Sequence, residues 1–100
     1  MRKLYTNSIN YAACEAYLWD TQKALLKAHP FSEAERICDP LTHWLRTGRA
    51  SAPHLKALFC VQPWRVAKVL EGFGPTAPID DALKAVRDLV EAKAKKMGLM

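Results

Sequence analysis

Between Ser8 and Ala28, Ile9, Ala12, Ala13, Ala16, Tyr17, Ala24, Leu25 and Ala28 recur three and four apart with no glycine or proline among them. That is the period of an amphipathic helix. His29-Pro30 should end it, because proline disfavours helical geometry in the residue before it. Ser32 and Glu35 have the spacing of a capping box, so a second helix is expected to start there. Pro40 should either kink that helix near Cys38 or open a separate one with Asp39 as its N-cap. Ile37, Leu41, Trp44 and Leu45 continue an apolar stripe as far as Gly48, the expected stop. Ser51 suits the N-cap of a short helix whose apolar positions are Leu55, Leu58 and Phe59. Pro63 should open the next, with Val66, Val69 and Leu70 inward and Gly72, Gly74 and Pro75 closing it. After a loop to about Pro78, a last helix starts at Asp80 or Asp81, which complement its dipole. It carries Leu83, Val86, Leu89 and Val90 inward, and its final residues are expected to fray. Only 57–61 reads at all as a strand, and the helical spacing on both sides outweighs it. The expectation is a single all-α domain over residues 1–100, a compact bundle of five to six helices.

Composition narrows the class further. Half of the 100 residues are hydrophobic, enough for one core but too short a chain for two domains. No apolar run approaches the roughly 18 to 20 residues of a membrane span, and residues 1–8 lack the apolar centre of an export signal. A cytoplasmic protein with no membrane partner is therefore expected. Cys14, Cys38 and Cys60 are odd in number and widely spaced, which suits reduced, buried thiols better than a disulfide framework.

The net charge of +5 has a location. Residues 1–40 hold five basic and five acidic side chains, and residues 71–100 again five of each. From 41 to 70 there are five basic residues, Arg46, Arg49, Lys56, Arg65 and Lys68, and no acid. Any attraction for a polyanion is concentrated in this middle third.

Within it, residues 51–72 (SAPHLKALFCVQPWRVAKVLEG) resemble the helix-turn-helix of bacterial and phage DNA-binding repressors. Leu55, Phe59, Val61, Val66 and Val69 match the buried positions of that motif in type and spacing. Cys60 stands at the turn position usually given to glycine, and Lys56 where a small residue, commonly alanine, lets the two helices approach. The resemblance covers about a fifth of the chain. It implies that the second helix presents Gln62, Pro63, Trp64, Arg65, Ala67 and Lys68 to the major groove of double-stranded DNA. Arg65 would fork onto guanine and Gln62 bond adenine, while Lys68, Arg46 and Arg49 would take phosphates, with Ser51 at its helix start holding another. Trp64 would serve there by packing on a base methyl or a sugar, although the core is the expected place for an indole. Repressors of this type usually read two half-sites, so the resemblance also implies a homodimer.

Other chemistries find less support. Cys38, His43, His54 and Cys60 superficially suggest a two-cysteine, two-histidine zinc site, but the spacing is not a tight motif and no metal is expected. No nucleophile elbow, phosphate loop or glycine-rich dinucleotide signature is present, and Asp80 and Asp81 suit helix capping better than acid–base work. Neither an enzyme nor a cofactor is expected. The competing reading is a small protein-binding module, an inhibitor or adaptor docking on a host protein. Trp19, Trp44 and Trp64, with arginines near two of them, are the residue types that dominate such interfaces.

Overall fold

The side chains of the first helix that turn inward are Cys14, Tyr17, Leu18, Thr21 and Leu25, again three and four apart. They lie on α1 (Ser8–Leu26) of a computed structural model that describes residues 8–100, with side chains from Tyr11 onward. This face is not the alanine stripe expected from the sequence: Ala12, Ala16 and Ala28 are exposed, and the side chain of Ile9 lies outside the described residues. Burial of an alanine methyl stabilises little, so the larger Tyr17, Leu18 and Leu25 decide the orientation.

Four more helices follow: α2 (Phe31–Arg46), α3 (Ala52–Leu58), α4 (Pro63–Phe73) and α5 (Ile79–Lys96). The fold is all-α, as the periodicity predicts. The expected capping box does not form. Pro30 is the N-cap of α2, no side chain caps it, and Glu33 rather than Glu35 is engaged, with the ring of His29. Pro40 neither starts a helix nor ends one; it sits buried within α2. Lacking an N–H, it leaves the Arg36 carbonyl without its usual partner. The helix persists because Ala34, Ile37 and Cys38 before the proline and Leu41, Trp44 and Leu45 after it form one buried stripe.

At α3 and α4 the punctuation acts as read. Ser51 caps α3, accepting from the His54 backbone N–H at 3.4 Å, and Pro63 occupies the first turn of α4. Asp80 and Asp81 fall inside the first turn of α5, where their negative charge complements the helix dipole without any capping hydrogen bond. The end of α5 does not fray as expected. Gly98 takes a φ of 75°, the Leu99 N–H reaches the Ala94 carbonyl at 2.9 Å, and that of Gly98 the Lys95 carbonyl at 3.2 Å. This is a Schellman closure, which glycine permits because it has no Cβ, and it seats Leu99 against the core.

One contiguous core joins all five helices. α2 packs on α1, α4 and α5, and α4 also lies against α1 and α5. α3 rests on α5. The two helices of residues 51–72 therefore arrive in the expected order but do not pack along each other. Lys56 is exposed, and no close crossing over α4 is asked of its position. Among the described residues no non-glycine has a positive φ, so the turn at Cys60 is built without the left-handed residue that glycine usually supplies.

Candidate nucleic-acid interface

The turn between α3 and α4 is set from outside. Val61 is buried, and its carbonyl accepts a 2.7 Å hydrogen bond from the Tyr17 hydroxyl of α1. Burial holds the Tyr17 phenol well above its ordinary pKa, with the nearby Arg65 guanidinium acting in the opposite sense. Thr21 in turn donates to the Tyr17 carbonyl at 2.9 Å. The Tyr17 ring lies 6.1 Å from that of Phe59, tilted by 49°. Phe59 itself is 37% exposed, not the buried residue its spacing suggests. Cys60, expected in the core, is exposed in the turn.

From this anchored turn α4 runs with Val66, Ala67 and Leu70 inward. Ala67 is thus a packing residue against the core and not a groove-facing one. At 100° per residue, Trp64, Arg65 and Lys68 share the opposite face, with Trp64 and Lys68 one turn apart. All three are exposed, and so is Gln62 just ahead of them. Trp64 is 56% exposed, which corrects the expectation that it joins the core. The core stripe of α4 passes through Val66 and Leu70, and an indole at position 64 lies off its edge.

No acid is paired with the cations of this face among the described residues. Arg49, Lys56, Arg65 and Lys68 form no ion pair among the described residues. The one acid of α4, Glu71, is drawn to the His29 ring at 2.7 Å. Glu91 faces His54 and Asp88 faces Lys84. Arg65 and Lys68 are thus left without an ion pair, although Glu71, one turn beyond Lys68, lies on the same side of α4.

The remaining nominated residues are placed differently. Arg46 forks onto Glu15, with Nε at 3.1 Å and Nη2 at 2.8 Å from the two carboxylate oxygens, so a phosphate would have to compete with a bidentate partner. Arg49 is exposed in the connection between α2 and α3. The Ser51 hydroxyl lies 2.7 Å from His54 Nδ1 and is already engaged. Gln62, Trp64, Arg65 and Lys68 are thus brought together at the start of α4; Arg46 and Ser51 are each tied elsewhere.

Neither the role of Tyr17 in setting the turn nor the Ser51–His54–Glu91 chain is marked by any local pattern in the sequence. Tyr17 and Val61 are 44 positions apart, and no local period links them. Burial pushes the Cys38 thiol up to about 11, and burial, reinforced by Glu15, does the same for Cys14. Among the described residues no three histidine, cysteine or acidic side chains are grouped to hold a metal, and no helix is long and apolar enough to cross a membrane.

No protein-family model, no curated protein and no solved structure matches the chain.

Proposed function

We propose that the protein binds double-stranded DNA through the outer face of α4 and acts as a small transcriptional regulator, most simply as a homodimer. The observation that carries this reading is the exposed run of Trp64, Arg65 and Lys68, whose two cations have no acidic partner. The reading element is α4 itself, since α3 is held by α5 rather than by α4. Arg65 has the fork geometry for guanine or a phosphate, and Lys68 one turn on is a phosphate contact. The Trp64 indole, standing clear of the core, supplies the apolar contact to a sugar or a thymine methyl.

The test is binding of a mixed-sequence duplex at several salt concentrations, with an Arg65→Ala/Lys68→Ala variant beside the parent. Each phosphate neutralised contributes about 0.9 to the slope of log affinity against log salt. The parent should weaken steeply with salt, and the folded variant should bind more weakly with a slope shallower by about 1 to 2. No binding by the parent at low salt, or equal binding by both proteins, overturns the proposal.

A second reading rests on the same indole. Trp64 and the 37% exposed Phe59 are aromatic residues of the kind that anchor protein interfaces. A host-protein partner would be bound with little salt dependence and lost on Trp64→Ala.

A further inference from the structure

Three side chains away from the α4 face form a hydrogen-bonded chain. The Ser51 hydroxyl is 2.7 Å from His54 Nδ1, and His54 Nε2 is 3.1 Å from a carboxylate oxygen of Glu91. They come from the N-cap of α3, its first turn and the C-terminal half of α5. A carboxylate can only accept, so with Glu91 ionised the proton of the neutral imidazole sits on Nε2. Nδ1 then presents its lone pair to the serine, and the Ser51 O–H is the donor. The ring is also held from behind: Trp44 of α2, a core residue, meets it edge-on with centroids 5.6 Å apart. The His54 side chain is 15% exposed, whereas Ser51 is exposed to solvent. A shielded base is thus oriented by an acid on one side and faces an accessible hydroxyl on the other, the arrangement that activates a serine nucleophile.

We propose that Ser51, His54 and Glu91 form a nucleophile–base–acid array that takes up acyl groups from small activated esters. The Ser51 oxygen attacks the ester carbonyl carbon as its proton passes to His54 Nδ1. The imidazolium so formed has two N–H groups, one of them held by Glu91. The bond from the carbonyl carbon to the leaving oxygen then breaks, and that oxygen takes the proton from Nδ1. Water adds to the acyl carbon while His54 Nδ1 accepts its proton; the bond from that carbon to the Ser51 oxygen then breaks, the oxygen takes the proton back from Nδ1, and a carboxylic acid leaves. Ser51 and His54 are the catalytic residues and Glu91 a positioning residue. The open setting of Ser51 fits small acyl groups with good leaving groups, for which no deep binding cavity is needed. None of this depends on the DNA reading, because the array uses no residue of α4.

The test uses the full chain with 4-nitrophenyl acetate, following nitrophenolate release together with peptide mapping of the acetylated residue. The parent should carry acetyl on Ser51. His54→Gln should slow acetylation by about 100-fold, the usual scale of general-base assistance. Ser51→Asp, which can still cap α3 but has no hydroxyl, should abolish it. Glu91→Gln should slow it less and displace its pH profile, which a merely structural contact would not do. A fluorophosphonate probe on the unaltered protein supplies a measurement independent of variant folding: Ser51 should be labelled in the native protein and not in urea. Acetyl confined to lysines, or equal labelling of Ser51 in native and unfolded chains, overturns the proposal.

Discussion

Replacing Tyr17 by Phe removes one oxygen atom and keeps the ring against Phe59, so it isolates the hydrogen bond that sets the α3–α4 turn. The lost bond is short, at 2.7 Å, and its acceptor is the carbonyl of Val61, a residue only 2% exposed. A net hydrogen bond contributes about 0.5–1.5 kcal/mol, and stranding a buried acceptor costs about 1–3 kcal/mol. With the acceptor on a residue this deeply buried, the expected loss is about 1.5–2.5 kcal/mol. For a domain of this length that corresponds to a fall in Tm of roughly 7–12 °C. Urea unfolding followed by circular dichroism gives the free energy, and an unchanged m-value would show that neither end state has altered in compactness. A loss below about 0.5 kcal/mol would mean that the carbonyl finds another donor, and the account of the turn would be wrong. On the proposed DNA-binding reading, duplex binding by the variant, measured well below its Tm, should weaken as α4 loses its fixed starting point.

His29 gives a prediction in pH. Its pKa is raised above 6.5, first by the hydrogen bond to Glu33 and then by that to Glu71, against a smaller opposing effect of burial. A group raised on folding stabilises the fold fully below its unfolded value of about 6.5, and the contribution is lost as pH climbs through the raised folded value. Urea midpoints should therefore fall from about pH 6 to pH 9, and His29→Gln should flatten that trend; an equally steep trend in the variant would refute the assignment. The thiols should separate cleanly under a mild alkylating reagent near neutral pH. Exposed Cys60 should react at once, while Cys14 and Cys38, buried and raised to about 11, should resist until the chain unfolds. Mass mapping of the modified residue checks this, and early labelling of Cys38 would contradict the packing of α2. The Arg65→Ala/Lys68→Ala variant should keep its Tm within a few degrees of the parent, since both side chains are exposed.

In α2, α4 and α5 the large apolar residues at the centre of each stripe lie where the pattern puts them, whereas at the C-cap of α3 Phe59 does not. Leu41, Trp44 and Leu45 in α2, Val66 and Leu70 in α4, and Val86 and Val90 in α5 are all buried as their spacing indicates. The pattern misleads in α1 because alanine is weak evidence: it suits either face of a helix, and the heavier Tyr17 and Leu18 outweigh it. The Ser32/Glu35 pair is a local signal the structure does not use, while Pro40 stays inside one helix, so only its alternative reading as a new helix start fails: a continuous core stripe outweighs one lost backbone bond. The candidate site was legible as far as residue type and charge. Gln62, Arg65 and Lys68 are exposed as a groove-facing assignment requires, while Ala67 is not. Partners distant in sequence were not legible. Nothing in the neighbourhood of Arg46 announces Glu15, 31 positions away, and nothing around His54 announces Glu91, 37 away.

α3 and α4 share α5 as a neighbour but are held very unequally by the rest of the molecule. α3 is seven residues long, and it is held by α5, by Trp44 against His54 and by the bond from His54 to Glu91. α4 rests on α1, α2 and α5 and packs on none of α3. Local opening should therefore begin by α3 peeling away while α4 stays docked, and amide exchange should be faster in 52–58 than in 63–73. A variant that loosens α3 would then leave the α4 surface intact, so the two halves of residues 51–72 can change independently of each other.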